Sequence, residues 1–127
     1  MNISEALCAA ADHIEQHPEK YDFRESYIPP PGFCACMLGR LGLIAGVRYG
    51  TNVDDIARRI LGKSGEEFYK QVFELIPERQ RSMLTLNRVD LEDAKKVAPA
   101  MRTIAQEYKG IPDDVLALFA KGEVVPA

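Results

Sequence analysis

The chain predicts an all-α fold: a single compact domain over residues 1–127, built from about six helices around a buried central helix at residues 33–47. Apolar residues recur at three- and four-residue spacing in one segment after another. No stretch alternates convincingly with the period of a strand, and no internal repeat of about 20–50 residues is present. The most apolar segment is PGFCACMLGRLGLIAGV, at 31–47. There Cys34, Leu38, Leu41 and Ala45 form one helical stripe, Met37 and Ile44 widen it, and Leu43 and Val47 carry it round the back; Arg40 is the only charged residue. Such a helix is too short and too glycine-rich to cross a membrane, so it is expected as the central post of the bundle. Gly39, Gly42 and Gly46 cost roughly 1 kcal/mol each relative to alanine, which close approach of neighbouring helices would justify.

The flanking elements follow in order. Ser4 is placed to cap a first helix that runs to about Gln16 through Ile3, Leu7, Ala10, Ile14 and His17, and Pro18 ends it. EKYDFRESYIPPPG then reads as an extended loop, with polyproline character at Pro29 to Pro31. Its aromatic residues either pin it to the core or offer a binding surface. Thr51 with Asp54 starts VDDIARRIL, which stops at Gly62; Ser64 with Glu67 starts EEFYKQVFELI. ERQRSMLTLN carries no clear signal, and Leu84, Leu86 and Val89 could form only a strand without a partner. Asp90 with Asp93 opens LEDAKKVAPAMRTIAQEY, which Pro99 should kink or divide and Gly110 ends. Asp113 begins a last short helix, DVLALFAK, stopped by Gly122.

The apolar share of 46% and charged share of 28% exclude disordered, collagen-like and cysteine-scaffold classes. The N-terminal stretch MNISEALCAAADHIEQ lacks the basic region of a signal peptide, and three cysteines, an odd number, suit a reducing compartment. A cytoplasmic location and no membrane association are therefore expected. The net charge of −3 is unevenly spread: residues 1–28 hold two basic and six acidic side chains, and 29–62 hold four basic and two acidic. This layout offers no broad basic face for nucleic acid.

Three groups of residues could carry chemistry. His13 and His17 share one helix face, and Cys34 and Cys36 follow a short loop later, an N2S2 set of the kind zinc takes. On a helix, however, those two cysteines point about 200° apart, and Cys8 faces away from the histidines. Cys34 alone, near a helix N-terminus with a histidine in reach, has the surroundings of a nucleophilic thiol, but no oxyanion or orienting motif accompanies it. Residues 53–76 have the outline of a helix-turn-helix, with Arg58, Arg59, Lys63 and Lys70 available to phosphate. Its second helix opens on Glu66 and Glu67, a poor start for reading DNA. No phosphate loop, paired-carboxylate motif or dinucleotide signature occurs, and no cofactor is expected.

IEQHPEKYDF, then CACMLGRLGLIAG, then EEFYKQVF together resemble a group of small uncharacterised helical proteins of bacterial, plasmid and phage genomes, over residues 14–76. The resemblance implies a small helical fold and a mobile-element setting, and it carries no activity or catalytic residue. The leading expectation is a non-enzymatic protein-binding module that occupies a partner protein through Tyr21, Phe23, Tyr27, Ile28, Pro30 and Phe33. The alternatives are a small DNA-binding regulator using 53–76 and a cysteine- or zinc-dependent activity centred on Cys34.

Overall fold

A computed structural model of the chain describes residues 1–21, 28, 35–48, 50–77 and 91–121, with the side chains of 91–94, 120 and 121 excepted. Among these residues there are six α-helices and no strand. The first, α1 (Ile3–Gln16), is capped by Asn2 rather than Ser4: the Asn2 side chain accepts from the Glu5 N–H at 2.8 Å, and the Glu5 carboxylate accepts from the Asn2 N–H at 3.1 Å. The reciprocal box needs a carboxylate three residues after the cap. Asn2 has Glu5 there, whereas Ser4 has Leu7. Pro18 opens a short 3-10 turn (Pro18–Lys20).

The central helix α2 (Met37–Ile44) is shorter at both ends than 33–47. Ala35 is extended and bridges to Tyr21, its N–H donating to the Lys20 carbonyl at 3.0 Å. Cys36 then acts as N-cap, its Sγ accepting from the Gly39 N–H at 3.3 Å. At the other end Gly46 takes a φ of +82°, its N–H bonds the Leu43 carbonyl at 3.1 Å, and the Val47 N–H bonds the Gly42 carbonyl at 2.9 Å. This pair of bonds is the Schellman closure, which a glycine in the left-handed region makes inexpensive. Met37, Leu38, Gly39, Leu41 and Gly42 are buried, so the helix keeps its central place. Gly42 marks the close approach: a Cβ there would stand 2.5 Å from Ile56 Cδ1 and 2.8 Å from Ile28 Cδ1.

Next comes α3 (Val53–Ile56), capped by Asn52 rather than Thr51. Asn52 Oδ1 accepts from the Asp54 N–H at 2.8 Å, while the Thr51 hydroxyl turns back to the Arg48 carbonyl at 3.0 Å. The helix widens into a π turn (Ala57–Leu61) that ends at Gly62, φ +72°. Ser64 caps α4 (Gly65–Leu75), its Oγ accepting from the Glu67 N–H at 3.1 Å, as the sequence indicates. Pro99 neither ends nor divides α5 (Leu91–Ala105). Pro99 and Lys95, whose carbonyl loses its usual donor, are both exposed, so water can satisfy what the ring displaces. A 3-10 turn (Gln106–Tyr108) extends α5, and Gly110 closes it. The last helix, α6 (Val115–Lys121), begins from Asp114 rather than Asp113: Asp114 Oδ1 accepts from the Leu116 and Ala117 N–H groups at 3.0 and 3.2 Å. The segment 78–90, with Leu84, Leu86, Val89 and Asp90, and the tail 122–127 lie outside the described residues.

Neighbouring helices form a closed circuit. α1 packs along α5 in the largest interface, and contacts then pass from α1 to α2, α2 to α3, α3 to α4, and α4 back to α5; α6 seals the π turn. The core inside the circuit includes Leu7, Ile14, Met37, Leu38, Leu41, Ile56, Phe68, Val72, Met101 and Ile104, all fully buried. Burial of such side chains contributes roughly 1.5–3 kcal/mol each and holds the rim positions of the candidate site in place. Among the described residues no helix is long and apolar enough to cross a membrane.

Candidate functional site

The C-terminal turn of α1, the turn after it and the middle of α2 converge on one polar cluster. The bridge between Tyr21 and Ala35 lays the Tyr21 ring against α2, and His13 reaches it from the last turn of α1. Tyr21 is only 3% exposed, and its hydroxyl lies 2.5 Å from His13 Nδ1. The Arg40 guanidinium stands over the Tyr21 ring, 5.6 Å from its centroid, and Arg40 Nε is buried with no hydrogen-bond acceptor. His17 stacks at a tilt on His13, with ring centroids 4.8 Å apart, and its own Nδ1 is 3.6 Å from Glu19.

Burial, then the positive charges of Arg40, His17 and Lys20, lower the His13 pKa to about 4. The imidazole is therefore neutral near pH 7. Burial pushes the Tyr21 hydroxyl above its ordinary range, against the opposing pull of Arg40. With both groups neutral, one proton is shared in the short contact between the Tyr21 hydroxyl and His13 Nδ1, the donor being set by the imidazole tautomer. The cluster is thus a hydrogen-bonded neutral pair beneath a guanidinium.

Cys36, one turn before Arg40, is buried, and burial raises its thiol pKa. The Tyr69 hydroxyl of α4 sits beside it and is likewise raised by burial. A thiol in this setting stays protonated and is a poor nucleophile or metal ligand. Cys34, on which the thiol and zinc readings turn, lies outside the described residues. Among the described residues no group of three or more His, Cys, Asp or Glu is placed to hold a metal ion, and His13 and His17 use their Nδ1 atoms toward Tyr21 and Glu19.

Of the loop residues expected to meet a partner, Tyr21 and Ile28 lie in the core, Ile28 at 1% exposure and tied to residues 50 and 51 through its backbone. Neither is available as contact surface in this conformation. Phe23, Tyr27, Pro30 and Phe33 lie outside the described residues.

In the 53–76 unit the basic residues are largely engaged within the protein. Arg58 Nε bonds Asp54 at 2.6 Å, and the Arg59 guanidinium stacks 4.9 Å from the centroid of Phe119. Lys63 Nζ bonds Gln71 Oε1 at 2.5 Å and Glu107 at 3.3 Å, above the ring of Tyr108. Tyr108 in turn donates to the Leu61 carbonyl at 2.7 Å, satisfying the end of the π turn. Lys70 is exposed and, with Lys63, Glu67, Gln71 and Glu74, lines an open groove of about 270 Å³ that carries both signs of charge. The two helices of this unit are joined by Asp54, whose Oδ1 accepts from the Gly65 N–H at 2.8 Å. That bond, with Arg58, holds the Asp54 pKa below its usual value.

Among the described residues the exposed large apolar side chains are Leu75, at the end of α4, and Met1 and Leu116, which a backbone bond brings near each other. The Met1 carbonyl accepts from the Val115 N–H at 3.1 Å, and Met1 and Leu116 are each 54% exposed. Leu116 leans over Gly46, where an added Cβ would meet its Cδ1 at 3.5 Å.

Arg40 carried a signal in the sequence, as the lone charge in an apolar helix, but its partners come from a turn and a helix end that local periodicity does not bring together. Leu116 carried none, because DVLALFAK reads equally well with either face inward. No family model matches the chain, and no curated protein or solved structure shows significant similarity to it.

Proposed function

We propose that the chain is a non-enzymatic protein-binding module of the cytoplasm that acts by occupying a partner protein, in the mobile-element setting implied by the resemblance over residues 14–76. The observation that carries this reading is the exposed apolar pair Met1 and Leu116, beside the Schellman turn at Gly46. Two large apolar side chains left exposed on neighbouring chain segments gain from being covered by a partner. The internal use of Arg58, Arg59 and Lys63 further favours a protein partner over nucleic acid, since cations already bonded must give up partners to meet phosphate.

The test is a pull-down with tagged protein at low and high salt, comparing the wild type with Leu116→Asp and, as a control, Arg58→Ala. A partner retained at both salts by the wild type and by the control, and lost from Leu116→Asp with the thermal transition unchanged, is the expected result. An identical partner set with Leu116→Asp would overturn the surface assignment. Recovery of nucleic acid at low salt only would replace this reading with the DNA-binding one.

A further inference from the structure

We infer that Arg40, with His13, His17 and Lys20 around it, forms a receptor for a small oxyanion, phosphate being the simplest. The inference stands apart from the protein-binding reading, because it concerns a different face and a different chemistry.

Charge balance carries it first. Arg40 projects from a helix that is otherwise apolar, over the ring of a buried tyrosine, and among the described residues no carboxylate lies within ion-pair distance of it. The Tyr21 hydroxyl, paired with His13 Nδ1, can still accept from one end of the guanidinium, and Arg40 bonds it there, but it does not reach Nε. Arg40 Nε is left buried with no acceptor at all. Buried donors without partners are rare in proteins and ask for a missing one. A guanidinium takes an oxyanion through a planar fork that neither water nor a backbone carbonyl matches.

The surroundings supply the second argument. The charged groups facing His13 are Arg40 from α2, His17 from its own helix, and Lys20 and Glu19 from the turn that follows. Three of these four are basic or can become so, and Glu19, the one acid, lies against His17. From α5, Arg102 is committed to Asp12 and Glu15, which removes those two α1 carboxylates as counterions for Arg40. Burial is the larger cause of the low His13 pKa, but an incoming oxyanion would offset the part due to the positive charges of Arg40, His17 and Lys20, so binding and protonation of His13 should favour each other.

The experiment uses the full chain, titrated with sodium phosphate, sodium acetate or sodium chloride at constant ionic strength, and followed by the NMR signals of the Arg40 Nε–H and the His13 ring. Saturable movement of both signals with phosphate or acetate, absent with chloride, is expected; the stronger of the two oxyanions tells whether the receptor prefers a phosphoryl or a carboxylate group. Affinity should rise as pH is lowered toward the His13 pKa, and that pKa should itself rise in the presence of the anion. Arg40→Met should weaken binding about tenfold or more, the scale of a lost hydrogen bond to a charged group, while Arg58→Ala should leave it unchanged. Movement that fails to saturate, or that chloride reproduces, would overturn the inference on the wild-type chain alone, whatever the stability of the variants.

Discussion

Two regions of this protein hold partly buried cations and treat them in opposite ways. On the α4–α5 side, Lys63 is gripped by Gln71 and Glu107, Gln71 Nε2 donates to Glu107 Oε1 at 2.7 Å, and the Tyr108 ring closes the network from below. On the α1–α2 side, Arg40 meets an aromatic face and a neutral tyrosine–histidine pair, with one nitrogen unbonded. The first region is closed electrostatically and reads as structure. The second is open, and a cation held open inside a fold is available to something else.

The comparison can be tested by perturbations of decreasing size. Leu38 underlies both regions, since it belongs to α2 and its Cδ1 stands 3.2 Å from where a Cβ on Gly65 would lie. Leu38→Ala should therefore destabilise the whole domain by about 2–5 kcal/mol in chemical denaturation, and a smaller loss would mean that the helix circuit can collapse around the cavity. Lys63→Met should cost about 1.5 kcal/mol, because Gln71 and Glu107 lose their shared donor. If the loss vanished, the network would be no more closed than the Arg40 cluster.

The pH dependence separates the regions further. Folded His13 titrates at about 4 and its ordinary value is 6.5, so between those limits the unfolded chain takes up a proton that the folded chain refuses. Stability should fall as pH drops from 6.5 to 4, and His13→Gln should flatten that part of the curve. Asp54 and Asp114 have lowered pKa values for the opposite reason, favourable bonds to the charged form, and their contribution is lost only further down, as pH falls through the carboxylate range. Arg40→Met should change stability by less than about 1 kcal/mol in either direction, because a lost cation–π contact is set against removal of an unbonded buried donor. The smallest effect is expected from Arg58→Ala, whose exposed ion pair with Asp54 should leave the melting temperature unmoved.

Much of the framework was legible from local pattern. Ser64 with Glu67, the stop at Gly62, the inward face of α4 and the buried character of Leu38 and Leu41 follow from spacing and capping chemistry alone. The misses have a common cause. Cys36 is an uncommon N-cap, so the central helix reads as starting earlier than it does; Asn2, two residues before Ser4, and Asn52, one residue after Thr51, take the caps because an asparagine side chain at each of those positions reaches a free N–H of the first turn. The π turn has no local signature, and it coincides with the Tyr108 hydroxyl bonded to the Leu61 carbonyl, a contact spanning 47 positions. The site was the least legible part. His13 and Cys36 suggested metal and Tyr21 suggested a partner surface, yet the structure puts Tyr21 and His13 together around Arg40 as one cluster.

Asp54 has a mechanical consequence beyond its own stabilisation. One carboxylate bonds the first N–H of α4 while belonging to the first turn of α3, so fraying of either helix end costs the bond that ties it to the other. The pair should open as one cooperative unit, with amides of both helices exchanging hydrogen at a common rate, and Asp54→Ala, which removes the acceptor, should uncouple them into two. A segment with the outline of a two-helix reader of DNA is in this respect a hinge that has been pinned shut.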